Sequence, residues 1–172
     1  MIDLALAKAH LRAEGSAEDG LIQSYLDAAA AHVEGATGKL LSRRAVVQDF
    51  ARLFAYLPLW WGPDPAGFTI DYLDAAGAPA TVSGQRLNRD RIYPPQDGWP
   101  ALLDYSPVAV TYTAGFGDGV GETPVPADLV QAQLMLVAWW WSNREAVALA
   151  ATVAEIPLGV EAILQKHRVV RI

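Results

Sequence analysis

The stretch LMLVAWWWSN, residues 134–143, constrains this chain more than any other. Eight apolar residues run unbroken and end in Trp139, Trp140 and Trp141. In a helix, neighbouring side chains point about 100° apart, so three in a row fan across roughly 200°. A core-facing stripe is only about 100° wide or a little more. Each Trp carries roughly 150–250 Å² of surface. One or two left exposed reach about the largest apolar patch a monomer shows. Two arrangements satisfy this geometry. The domain wraps the helix, with a sheet on one side and a helix over 17–37 on another; or one face meets a neighbouring copy or partner. Trp and Arg are favoured interface anchors, and Arg144 follows Trp140 and Trp141 by about one turn. Trp60 and Trp61, set among Pro58, Gly62 and Pro63, pose the same question and suit a docking loop.

The remaining composition narrows the class. A chain of 172 residues suits one domain, and 52% hydrophobic content supports a real core. The net charge of −6 argues against gripping nucleic acid or an anionic membrane, because both need a basic surface. DNA can still pass nearby without being held. With no cysteine, disulfides and thiolate metal sites are excluded. MIDLALAKAHLRAEG does not read as a signal peptide, because Asp3 comes early and Lys8 breaks the apolar run. No apolar run is long enough for a transmembrane helix.

Hydrophobic periodicity gives the order of elements. Asp3 to Arg12 reads as a short helix, capped by Asp3 and ended by Gly15. Ser16 to Asp19 resembles a capping box for a second helix running to about Thr37, with Ile22, Tyr25, Leu26, Ala29 and Val33 on one face. Gly38 is its expected C-cap. Residues 45–56, 68–73, 79–87, 91–95 and 107–115 read as strands of one small antiparallel sheet. Pro126 fits the first turn of a helix reaching about Val147 or Leu149. Pro157 opens a last helix, roughly 158–167. The expected fold is α+β and mainly helical: four helices, with a β-rich insertion over 41–115 between helical segments 1–40 and 125–168, and a tail over 169–172.

The search for chemistry yields no catalytic, cofactor-binding or metal-ligating residue. GFGDGVG (115–121) lies between strand and helix, where phosphate loops occur. Its glycines miss the dinucleotide spacing, no Gly-Lys-Ser/Thr follows, and Asp118 and Glu122 would repel phosphate. It reads as a flexible connection. His10, His32 and His167 are far apart and form no zinc motif. Asp71 and Asp74 flank an expected hairpin turn, which is ordinary turn chemistry. Arg43-Arg44 and the group Arg86, Arg89 and Arg91 are the densest cations. They read as a solvated loop with ion pairs, or as a surface for an acidic partner.

Three blocks resemble the head–tail connector, or adaptor, proteins of long-tailed phages. They are AKAHLRAEGSAEDGLIQSYLDAAAAHVEGATG (7–38), VTYTAGFGD (110–118) with VPADLVQAQLMLVAWWWSNRE (125–145), and IPLGVEAILQKHR (156–168). They cover about half the chain, in order, and gene-transfer particles derived from phages carry the same type of protein. The middle, 41–106, matches only in general character, and its Trp and Pro around 58–65 depart from the family pattern.

The resemblance implies a structural role without catalysis or cofactor. Such adaptors form a ring, typically of about twelve copies, beneath the portal. They carry a stopper or tail-completion protein, and DNA leaves through the hole. The expected place is the neck of a virion or phage-like particle assembled in a bacterial cytoplasm. The helix and tail from about Leu158 to Ile172 are then expected to dock on the portal, through Leu164, Lys166, Arg168, Val169, Val170, Arg171 and Ile172. Deleting 165–172 is expected to spare the fold and abolish that docking. The alternatives are another neck component (stopper or tail-completion protein) and, from a different class, a small ligand-binding or enzymatic domain with an apolar pocket.

Overall fold

A computed structural model describes residues 2–104, 106–143 and 157–169. The chain forms two compact units: Met1–Leu41 with Pro124–Ile172, and Ser42–Thr123.

The first unit is helical. Helix α1 (Leu4–Leu11) is capped as expected, with Asp3 Oδ1 accepting from the Leu6 amide at 2.7 Å. It ends at Arg12, not Gly15: Arg12 adopts the left-handed conformation, φ 55°, and its N–H bonds the Ala9 carbonyl. The capping box over Ser16–Asp19 does not form. The Asp19 carboxylate is drawn to Lys8 Nζ at 2.6 Å, and helix α2 (Asp19–Thr37) starts without a side-chain cap. Along α2, Ile22, Leu26, Ala29 and Val33 are buried at the expected helical spacing, and Tyr25 is half-buried. Gly38 ends the helix at φ 71°, where its N–H meets the Glu34 carbonyl at 2.8 Å. Only glycine enters that conformation without penalty.

Helix α3 (Ala127–Ser142) packs on α2 and α1. Leu129, Ala132, Gln133, Leu136 and Val137 form its buried stripe, each large apolar member contributing about 1.5–3 kcal/mol. Asn143 stops it, donating Nδ2–H to the Trp139 carbonyl at 2.8 Å. The expected extension to Val147 or Leu149 falls outside the described residues. Helix α4 (Leu158–His167) has the expected bounds, opens after Pro157 and buries Val160 and Leu164.

The second unit holds two antiparallel sheets where one was expected. The larger has the order β1–β7–β3–β4, from β1 (Arg44–Phe50), β3 (Ala66–Leu73), β4 (Pro79–Thr81) and β7 (Val108–Ala114). The smaller has the order β2–β6–β5, from β2 (Leu57–Pro58), β5 (Arg86–Asn88) and β6 (Arg91–Tyr93). The expected strand over 79–87 is split. Gly84 takes φ 80°, and the chain leaves one sheet after Thr81 and joins the other at Arg86. In β7, Val108, Val110, Tyr112 and Ala114 alternate inward, all essentially buried.

The class is therefore α+β, but the molecule is not mainly helical. Helix holds 34% and strand 24% of the described residues. The seven strands from β1 to β7 are mostly shorter than the expected ones but more numerous, and they account for much of the middle of the chain.

Candidate docking surfaces

Trp140 continues the buried stripe of α3, three and four residues beyond Val137 and Leu136. Its ring meets Tyr25 of α2, with centroids 6.3 Å apart and planes tilted by 43°. Trp139 and Trp141 flank it on either side of the stripe. All three are half-buried. The expected fan is therefore present, with no ring fully enclosed and none fully open. Arg144 lies outside the described residues.

The C-terminal segment is bound into the helical unit. Helix α4 packs on α3 and α2, with Gly159 close to the Met135 side chain. Asp128, in the first turn of α3, accepts from both Lys166 Nζ and His167 Nε2 at 2.8 Å on one oxygen. These two hydrogen bonds, the Lys166 one first, hold its carboxyl far below the usual carboxylate range, against a small opposing effect of burial. Beyond α4 the backbone becomes extended, and the Val169 amide donates to the Thr37 carbonyl at 3.0 Å. That bond satisfies one of the orphan carbonyls at the end of α2.

The expected portal residues thus divide. Leu164 is 5% exposed and serves the core of its own unit. Lys166 is exposed but paired with Asp128, while Arg168 and Val169 are exposed at the surface. Val170, Arg171 and Ile172 lie outside the described residues. The expectation that 165–172 can be removed without touching the fold does not suit these bonds, because Lys166, His167 and Val169 are structural.

Trp60 and Trp61 belong to the β unit and are held by a buried polar pair. Gln48 of β1 donates Nε2–H to the Pro58 carbonyl at 2.8 Å and accepts from the Trp60 amide at 2.9 Å. The Tyr112 hydroxyl of β7 accepts from the Trp61 amide at 3.0 Å and donates to Gln48 Oε1 at 3.2 Å. The loop is thereby fixed to the sheet, leaving Trp60 46% exposed against Phe50 and Trp61 half-buried. These tryptophans and Trp139–Trp141 lie in different units.

A further cluster was not visible as such in the sequence. Arg91 lies 4.6 Å over the Tyr56 ring, Tyr56 meets Tyr93 at 6.0 Å, and Arg52 lies 4.9 Å over Phe54. Trp99 Nε1 donates to the Phe54 carbonyl at 2.6 Å. The signal was the alternation in RLNRDRIY (86–93), which reads as a hairpin once the strand over 79–87 is divided at Gly84.

The glycine-rich loop offers no phosphate cradle. Its space is filled by the chain's own carboxylate: Glu122 Oε2 accepts from the Gly119 amide at 2.9 Å, and Oε1 pairs with Arg43 Nε at 3.1 Å. A Cβ at Gly117 would fall 2.0 Å from Glu122 Oε2. Glu122 packs where an anion would sit, and the Thr123 amide is tied to Asp64 Oδ2 at 3.0 Å. The expected flexible connection is a tethered one. Among the described residues, no group of three or more His, Asp or Glu could hold a metal ion, and no helix is long and apolar enough to cross a membrane.

Comparison with known proteins adds the relation. The signature of the family described as "Phage gp6-like head-tail connector protein" matches residues 1–59. A protein in the neck of an empty gene transfer agent particle, computed with C6 symmetry, is 30% identical with TM-score 0.79, covering 99% of this chain and 91% of that one. One in the virion of a native gene transfer agent particle is 32% identical with TM-score 0.77, over 99% of this chain and 91% of that chain. One in the neck of the native particle, computed with C12 symmetry, is 30% identical with TM-score 0.73, over 100% and 94%. No curated protein matches the chain. Identity at this level across nearly both whole lengths is a family relation and not a shared fold alone. The chain belongs to the head–tail connector family, the structural adaptors of the necks of phages and gene transfer particles.

Proposed function

We propose that this chain is one subunit of a twelve-membered ring beneath the portal, joining the capsid to a stopper or tail-completion protein while DNA passes through its centre. The observation that carries this reading is the end-to-end likeness to a protein of a neck with C12 symmetry. The role is mechanical and needs no catalytic residue or cofactor. Its charge suits it: twelve chains of −6 carry −72, and acidic surface facing the lumen repels DNA, so the duplex slides without sticking. A closed ring also gives each subunit two flanks to bury, which suits half-buried Trp139, Trp140 and Trp141 and exposed Trp60. The portal contact falls to Arg168, Val169 and the residues up to Ile172. The site of action is the particle neck, reached by assembly in the bacterial host.

The test is reconstitution with purified portal, read by electron microscopy. The expected result is a twelve-membered ring on the portal, to which the stopper then binds. A chain that ignores the portal but binds the tail tip would be a tail-completion protein instead. A chain that binds only a preformed adaptor ring would be the stopper. Either result overturns the proposal.

A further inference from the structure

Strand pairing decides which side chains share the outer face of the β2–β6–β5 sheet. Arg86 stands opposite Tyr93, Asn88 opposite Arg91, and Pro58 opposite Arg91. Paired residues and residues two apart lie on the same side. Leu57 and Ile92 point the other way and are fully buried. The outer face is therefore Pro58, Arg86, Asn88, Arg91 and Tyr93, with Tyr56 joined through its ring contacts. Exposed Arg89 sits at the hairpin turn with φ 57°, and Arg52 lies over exposed Phe54 nearby in sequence.

Four guanidiniums, those of Arg52, Arg86, Arg89 and Arg91, have no ion pair with a carboxylate among the described residues. Yet residues 42–123 contain nine carboxylates and six arginines. Acids are in surplus, and these cations are still left unmatched. Arg52 and Arg91 sit over aromatic rings, 4.9 Å from the Phe54 centroid and 4.6 Å from that of Tyr56, and a guanidinium held over a ring can still receive a planar carboxylate through its N–H groups. Exposed Phe54, under the Arg52 guanidinium, supplies an apolar anchor typical of a protein contact and not of a phosphate track.

We infer that this face receives carboxylates from an adjacent copy of the same chain. The inference rests on the ring proposed above. Copies with a net charge of −6 repel one another, so a stable contact between them needs local complementarity. A head-to-tail contact allows it, because one surface meets a different surface of the neighbour. The arginine face is the cationic half of that contact.

The test is assembly of the full-length chain on purified portal, with ring completeness counted by electron microscopy and mass photometry. Arg86→Glu with Arg89→Glu is expected to raise the concentration for half-assembly at least tenfold, with single subunits still reaching the portal. Arg86→Gln with Arg89→Gln provides a milder variant should the reversal unfold the chain, with an expected weakening of several-fold. Arg12→Glu with Lys39→Glu carries the same charge change in the helical unit and is expected to have less effect. Wild-type rings are expected to loosen as salt rises.

Complete rings from both arginine variants at wild-type concentration would overturn the inference. So would complete rings that lose only stopper binding, or only retention of double-stranded DNA, since the occupant would then be another molecule. Equal loss from the control variant would show bulk charge at work and also overturn it. If wild type forms no ring on portal, the proposed function fails too, which separates the two failures.

Discussion

Single side chains do more here to place surfaces than to perform chemistry. Gln48 is 3% exposed, and its amide holds the 58–60 backbone while sharing a hydrogen bond with Tyr112. Gln48→Ala removes the side-chain partner of the Pro58 carbonyl and the Trp60 amide and the acceptor of the Tyr112 hydroxyl, which keeps its bond from the Trp61 amide. Its expected cost is about 2–4 kcal/mol, read as a lower denaturant midpoint. Tyr112→Phe keeps the packing and loses only the hydroxyl, so about 1 kcal/mol is expected. None of this could be read locally. Gln48 and Trp60 are 12 residues apart, and Tyr112 and Trp61 are 51 apart; Gln in a strand carries no mark of what it will hold. The Ser16–Asp19 cap failed for a similar reason, because Lys8 outcompetes backbone amides for the Asp19 carboxylate.

At the scale of elements, long periodic segments were legible and short ones were not. The α4 bounds and the strand β7 matched the expected spans 158–167 and 107–115 closely. The strands β2, β4, β5 and β6 have two or three residues each, too few for alternation to declare itself. The second sheet was therefore hidden, although Arg86, Arg89 and Arg91 already stood out as a dense group of cations. One prediction belongs to α4. Asp128 has its carboxyl depressed by Lys166 and His167. A depressed folded-state value means the carboxylate stabilises the fold fully above its unfolded value of 3.8, and the contribution fades as pH falls below that toward the folded value. The stability gap between wild type and Asp128→Asn should hold steady above about pH 4 and close progressively below it. Urea denaturation of both proteins at several pH values checks this, and a gap that does not change with pH would contradict the latch.

For the whole molecule, the order of segments and the family resemblance were visible at both ends of the chain, while the balance of helix to strand was not. The tryptophan run lies in a helix, but most of the large hydrophobic side chains that are exposed among the described residues belong to the β unit: Val47, Phe54, Trp60, Leu103 and Val120. The tail gives the prediction at this scale. Removing 170–172 should leave the melting temperature within about 2 °C of wild type, a shift of at most about 1 kcal/mol, and weaken attachment to portal. Removing 165–172 should lower it clearly, because Lys166, His167 and Val169 go too. Calorimetry of the two truncations, with portal pull-down, separates the anchoring role from the folding role.

The salt bridge between Arg43 and Glu122 joins the first and last few residues of the β unit, Ser42–Thr123. A segment that leaves and re-enters its host at neighbouring points is a cassette. Evolution can lengthen, trim or exchange such a segment as a single piece, and an engineer can graft in its stead a foreign β cassette whose two ends lie equally close.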